Sequence, residues 1–416
     1  MTVVVIVFWV AAGLLVYTQV GYGLLLALLA GIGRRARANH PAARTAAAGQ
    51  TGANASAAGS TATLPPALTA AARAAETPSV TAIIAAYNEQ EVIAPRVANL
   101  RSLDYDPARL QVIVASDGST DATVDRARQA GADLVLALER GGKIRAQDAA
   151  VAAADGELLV FSDANAVWEP DALRRLVQAF QSDQRIGYVC GDVTFTAAGA
   201  DGDEPGTTAN QEGLYWRYEM WLRRMESGLS SVTAGNGAIY ATRRESYLNV
   251  DPLAGHDLSF PFNMVKRGWR AVYVPDARAR EKLAPTIEGE FARKRRMARR
   301  TWPTIFSGGL LSPRGYSPLY ALMIFSHRIL RYLVPFLHVI ALAASIALIA
   351  HGWVYILATA LQVALLAGAA LAPLVPARPL LVARYYVVTN WALAAGLWDW
   401  LRGERSPVWE TVEGTR

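Results

Sequence analysis

Cysteine is nearly missing from this chain of 416 residues: Cys190 stands alone, inside the apolar run Gly187-Tyr188-Val189-Cys190. An internal disulfide is therefore excluded, and the setting fits a core thiol in a reducing compartment better than a catalytic one. Charge is missing from two long stretches. No charged side chain occurs in residues 1–33, and none lies between Arg331 and Arg378. Roughly 20 apolar residues span a bilayer. The first stretch suffices for one crossing, and the second allows two with a turn near His351-Gly352. No basic segment precedes the first run, so a secretory signal peptide is not expected. The spans carry almost no ionisable residues, which argues against a transporter, whose substrate path such residues would mark. The net charge of +6 gathers beside the apolar segments and in one run near Arg295. That pattern suits anionic lipid or phosphate and gives no nucleic-acid-binding face.

What is present divides the chain. Arg34, Arg35 and Arg37 follow the first apolar run, so the positive-inside rule puts the amino terminus outside and the next domain in the cytoplasm. Residues 34–78, rich in Ala, Gly, Ser and Thr, read as a flexible linker. Asn54-Ala55-Ser56 within them is a chance match to a glycosylation acceptor, given that cytoplasmic position. From Ser79 the chain alternates. Strands are expected over 80–86, 110–116, 134–138 and 158–162, with helices between them, which indicates an α/β domain built on a parallel, doubly wound sheet. Further on, 186–196 is strand-like, a Gly/Asp-rich loop covers 198–208, and 210–227 reads as an amphipathic helix carrying Tyr215, Trp216, Tyr218 and Trp221. Glu219 and Glu226, seven apart, share one of its faces. A helix begins at Gly255-His256-Asp257, a strand covers 269–274, and a basic helix covers 288–300. The catalytic unit is thus expected over 79–305. An interfacial amphipathic segment over 306–332, with His327, Arg328 and Arg331 among apolar residues, follows it. Two or three spans over 333–400 and a tail from 401 complete the chain.

The strand tips carry the chemistry. Ligands of α/β sheets sit at the carboxyl ends of the strands, where this pattern puts Tyr87-Asn88-Glu89, Asp117, Lys143 and Asp163. Asp163 and Asn165 follow Leu158-Leu159-Val160 and, two apart on extended backbone, face one side. They can address one hard cation or one ribose, or simply close an Asx turn. Asp117 can accept from a nucleobase N–H or, with Ser119, cap a helix. Lys143, at a Gly-rich helix start, can supply charge to a diphosphate or be a solvated surface residue. Mg²⁺ keeps several waters and tolerates sparse oxygen ligation. Asp257 can take a proton from an attacking hydroxyl, or cap its helix. The run Arg293-Lys294-Arg295-Arg296, with Arg299 and Arg300, suits both a leaving diphosphate and anionic lipid. One or two of these side chains are expected to reach the site.

The ordered set Ala85-Ala86-Tyr87-Asn88-Glu89, Asp117-Gly118-Ser119-Thr120-Asp121, Lys143, Asp163-Ala164-Asn165, Gly235-Asn236-Gly237, Asp257 and Arg296 resembles the membrane-bound family 2 glycosyltransferases. These are relatives of bacterial cellulose, hyaluronan and poly-N-acetylglucosamine synthases. The resemblance runs from about Ser79 to the carboxyl tail. It implies a GT-A, Rossmann-like fold flanked by transmembrane helices, a nucleotide-sugar donor, most readily a UDP-sugar, and inversion at the anomeric carbon. It also implies a divalent metal, Mg²⁺ or Mn²⁺, a glycan or lipid-linked acceptor, and a place in the bacterial inner membrane. On it, Ala86, Tyr87, Glu89, Asp117, Lys143 and Asp163 would hold the donor nucleotide, and Asp163 and Asn165 the metal. Gly235, Asn236, Gly237 and Arg296 would serve the acceptor and diphosphate, and Asp257 would be the base. Three positions depart from the family pattern. Asn165 replaces the second Asp of Asp-x-Asp, and His256 replaces an acidic residue before the base. Met297 replaces the tryptophan of Gln-x-x-Arg-Trp. Processive synthesis is thereby placed in doubt. Transfer of a single sugar to a polyprenyl phosphate or glycolipid is the alternative, and a membrane-tethered nucleotide-binding subunit without catalysis is the rival from another class.

Overall fold

The computed structural model describes residues 1–38, 77–196, 208–282 and 287–404. Most of the linker read over 34–78, most of the Gly/Asp-rich loop and the end of the tail lie outside the described residues. In chain order the elements are α1 (Thr2–Val16), a π-helical turn (Tyr17–Gly21) and α2 (Tyr22–Ala38), then β1 (Val80–Ala86), α3 (Ile93–Arg101), β2 (Leu110–Asp117), α4 (Thr123–Gln129), β3 (Leu134–Leu138), α5 (Lys143–Ala152), β4 (Leu158–Ser162) and β5 (Val167–Trp168). They continue with α6 (Ala172–Ser182), β6 (Ile186–Thr196), α7 (Thr208–Leu229), β7 (Tyr240–Arg243), α8 (His256–Lys266), β8 (Arg270–Lys282) and α9 (Ile287–Phe306). The carboxyl-terminal helices are α10 (Pro318–Met323), a second π-helical stretch (Ile324–Ile329), α11 (Leu330–Ala347), α12 (Trp353–Leu371) and α13 (Arg378–Leu401).

The eight strands form one sheet in the order β3-β2-β1-β4-β7-β6-β8-β5. Its first half is parallel, as the alternation predicts, with β1 flanked by β2 and β4. Every residue of β1 is buried, because a central parallel strand is covered on both faces. Beyond β4 the sheet departs from the doubly wound expectation: β7 runs antiparallel to both β4 and β6, and β5 antiparallel to β8. The first half is stitched by crossover helices, which enforce parallel pairing. The second half is reached through the 163–167 turn and the long α7, which carry no such constraint. β8 also extends past the expected end at Val274. Ala277 and Ala279 continue inward while Arg278 and Arg280 face solvent, a period-2 pattern of small and charged residues.

Apolar clusters fill both faces of the sheet, one under α3 and α6 and the other under α5, α7 and α8. A third cluster joins the globular part to the apolar helices: Leu222 of α7, Phe262 of α8 and Trp302 of α9 pack with Tyr22 and Leu26 of α2 and with Tyr320 and Ile324. Each such large apolar side chain contributes ~1.5–3 kcal/mol by burial. Among the described residues four helices are long and apolar enough to cross a membrane: Thr2–Gly33, Pro318–Ala347, Trp353–Leu371 and Arg378–Leu401. The segment read as interfacial over 306–332 is not separate. Residues 318–347 run as one helix, whose polar residues His327 and Arg328 turn inward because Glu219 and Glu226 of α7 meet them there.

Candidate active site

The carboxyl edge of the parallel strands is held by loop-to-loop bonds. Asn88 sits in the left-handed region at φ 49°, a conformation Asn tolerates better than most residues. Its N–H donates to Ser119 Oγ at 3.0 Å, and its Oδ1 accepts from the Thr120 N–H at 2.8 Å. Asp117, at the tip of β2, accepts from the N–H groups of Gly141 at 2.6 Å and Gly142 at 2.9 Å. Gly142 lies at φ 95°, where a side chain is strained. Asp117 thereby fixes the turn that opens α5, and Lys143 at the start of that helix makes an ion pair with Asp163. Gly237 packs on this pair: a β-carbon there would lie 3.1 Å from Asp163 Oδ2 and 3.5 Å from Lys143 Nζ. The Gly235 N–H donates to the Asp257 carbonyl at 2.6 Å. A β-carbon at Gly235 would overlap the hydroxyl of the buried Tyr188. Asn236 is structural, donating to Gly191 O at 2.8 Å and accepting from Ile239 N at 2.9 Å.

These contacts gather Glu89, Lys143, Asp163, Asn165, Gly235, Asn236, Gly237, Asp257 and Arg296 around one cavity of about 420 Å³. Ala86, Tyr87 and Asp117 do not line it. Ala86 is fully buried at the end of β1. The Tyr87 ring lies under the Arg140 guanidinium at 3.1 Å, and Asp117 bonds the glycine turn. Of the basic run, Arg293, Arg296 and Arg300 line the cavity, one more than expected. Arg295 instead makes a bidentate pair with Asp399 at 2.7 and 2.6 Å, and Arg299 lies 3.6 Å from Glu404.

Glu281 is the residue that sequence reasoning missed. It sits at the end of β8, lines the cavity, and accepts from Asn165 Nδ2 at 3.3 Å. Burial and then the neighbouring Asp163 charge push its carboxyl up to about 7. The alternation through Ala277 and Ala279 could have carried the strand this far. His256 stays neutral: burial, and then Lys143, press it down to about 3. Its Nδ1 lies 2.7 Å from the Tyr240 hydroxyl.

Two neighbouring carboxylates, Asp163 and Glu281, suit a hard cation, with the Asn165 carboxamide beside them. Among the described residues no three His, Cys, Asp or Glu side chains converge as a full metal cage. A metal here would therefore keep water or ligand oxygens in its shell, as Mg²⁺ does.

A mixed sheet whose parallel first half is joined through the antiparallel β7 to the parallel pair β6 and β8, with an Asp-x-Asn turn and a cavity at its carboxyl edge, is the GT-A arrangement of a glycosyltransferase. Residues 78–300 match the Glycosyltransferase like family 2 model, and the chain belongs to that family. It is 29% identical over 245 residues to an N-acetylglucosaminyltransferase of Mesorhizobium japonicum, covering 54% of this chain and 56% of that protein. Over 125 residues it is 38% identical to the beta-monoglucosyldiacylglycerol synthase of Synechocystis, covering 28% of this chain and 26% of that one. The chain thus spans little more than half the length of the first of these relatives, and less of the second. The fold extends over the solved mannosyltransferase PcManGT from Pyrobaculum calidifontis, in complex with GDP-Man and Mn²⁺. The TM-score is 0.66 at 23% identity, with 96% of this chain and 100% of that chain covered.

Proposed function

We propose that the protein transfers a sugar, with inversion, from a nucleotide-diphosphate donor to a hydroxyl of a glycan or lipid-linked acceptor at the cytoplasmic face of the bacterial inner membrane. One observation carries this reading. A single cavity has the Asp163–Lys143 pair and the Asp257 carboxyl in its wall, and Arg328 and Tyr332 of an apolar, membrane-length helix line it too. Asp163 and Asn165, with Glu281, would hold Mg²⁺ or Mn²⁺, which when bound supplies charge to the diphosphate. Lys143, Arg296 and Arg300 stabilise negative charge as the bond from the anomeric carbon to the diphosphate oxygen breaks. The acceptor oxygen forms the new bond to that carbon, and its proton passes to Asp257. Glu89 bounds the cavity on the nucleoside side, with Tyr87 and Asp117 supporting its loops. The names of the relatives make UDP-N-acetylglucosamine the first donor to test.

The experiment is a donor screen on membranes containing the protein, with Mg²⁺ or Mn²⁺ and a panel of UDP-, GDP- and dTDP-sugars, reading nucleotide release. One donor is expected to be consumed, and Asp257→Asn to lower the rate by two to four orders of magnitude, the range of general-base catalysis. Full transfer by the variant would remove Asp257 from this role. Product length then separates addition of one sugar from polymer synthesis.

A further inference from the structure

Arg223 of α7 is 4% exposed and lines the cavity, yet its Nε and Nη1 make no hydrogen bond. The carboxylate beside it, Glu219, is 3.5 Å from Nε and already faces Arg328 at 2.9 Å, Arg331 at 2.6 Å and His327 at 3.1 Å. A buried cation whose neighbours are a shared carboxylate and the Trp216 ring, 5.3 Å from its guanidinium carbon, is costly without a further hydrogen-bond acceptor, and buried polar groups in native folds are nearly always bonded. The charge around the cavity points the same way. Among the described residues its wall carries seven basic and four acidic side chains, and two of the basic ones are matched from outside it, Arg293 by Glu290 and Arg328 by Glu219, which leaves a small positive excess. The two phosphate charges of a nucleotide-sugar and one divalent cation cancel, so the donor complex leaves that positive excess in place.

We infer that the acceptor carries an anionic group, a phosphate or a carboxylate, and that Arg223 with Arg328 receives it. This rests on the transferase reading above and names the acceptor class for that same site. Arg328 and Tyr332 belong to the 318–347 helix, and Thr301 and Thr304 join them in the wall. The anion therefore approaches along a helix of membrane length. Bidentate guanidinium geometry matches either anion.

The test uses the full chain in phosphatidylcholine nanodiscs, with UDP, GDP and dTDP screened for binding in Mn²⁺, and calorimetric titration of hexyl phosphate, hexyl glucoside and inorganic phosphate. Hexyl phosphate is expected to bind in the presence of nucleotide. Arg223→Gln should weaken it at least tenfold, Arg223→Lys by less, and neither variant should change nucleotide affinity or the weak binding of hexyl glucoside. Inorganic phosphate binding as tightly as hexyl phosphate would assign the site to a free anion, and markedly weaker binding would assign it to a lipid headgroup. Equal hexyl phosphate affinity in wild type and Arg223→Gln overturns the inference, as does an equal loss for the neutral glucoside. Should no nucleotide bind while hexyl phosphate still depends on Arg223, the anion seat stands and the transferase reading falls.

Discussion

At the residue scale, the site is a balance of charges that few side chains set. Asp163 faces a cation on one side, Lys143, and a carboxyl on the other, Glu281. Because the folded protein holds the Glu281 proton up to about 7, it binds more protons than the unfolded chain from the ordinary Glu pKa of ~4.3 upward. The stability this contributes is fully present below that value and is lost as pH rises through about 7. The melting temperature of the metal-free protein is thus expected to fall between pH 5 and pH 8, and Glu281→Gln to reduce that slope in differential scanning fluorimetry. An unchanged slope would show that Glu281 titrates normally. Cys190 takes no part: burial pushes its thiol up to about 11, so it stays protonated and unreactive.

At the scale of elements, α7 is the connector. Glu226, with no exposed surface, accepts from the Tyr22 hydroxyl of α2 at 2.6 Å and from the Thr233 N–H at 3.1 Å, and it lies 2.7 Å from His327 Nδ1. Burial alone would raise this carboxyl, but His327 and Arg328 hold it below the ordinary value. One carboxylate thus ties two membrane-length helices to the loop that leads into Gly235. Both of those helices relax into π-helical turns at this level, Tyr17–Gly21 and Ile324–Ile329, and the Tyr17 hydroxyl meets Ser326 Oγ at 2.8 Å. Removing one partner of a buried ion pair costs about 3–5 kcal/mol. Glu226→Ala should therefore lower the melting temperature by several degrees and reduce transfer, with Glu226→Gln less damaging because it keeps an acceptor for Tyr22.

At the scale of the whole molecule, the α/β domain and the helices of membrane length share one interior. α13 lies against α9 where Gly396 permits close approach: a β-carbon there would be 2.6 Å from Ala298 Cβ and 2.9 Å from Arg295 O. The Arg295–Asp399 pair and the Trp302 indole, which donates to Leu393 O at 3.0 Å, close the same contact. Overpacking a tight interface costs about 1–3 kcal/mol. Gly396→Leu should loosen this contact, disturb Arg296 and Arg300 one face away, and lower both melting temperature and transfer. Gly31→Leu, where no atom lies within 4 Å, is the control expected to leave both unchanged.

The sequence by itself determined the parallel half of the sheet, the apolar spans and the polar strand tips. These follow from local signals: period-2 and continuous apolar runs, charge-free stretches, and Asp, Asn and Gly at strand ends. The positions of Asp163 and Lys143 in one cavity were legible for the same reason, since the carboxyl edge of a parallel sheet collects whatever its tips carry, whereas Asp257, at a helix start, was expected there from the family resemblance. Tertiary structure decided the rest. Asp117 bonds the glycine turn because pairing of β2 with β3 brings Gly141 and Gly142, in the loop after β3, to its tip. Glu281 enters the site because β8 runs alongside β6 for its whole length. Arg223, Glu219 and His327 meet at a buried junction because helices distant in sequence cross there, and each charge acquires its meaning from partners that no local pattern contains.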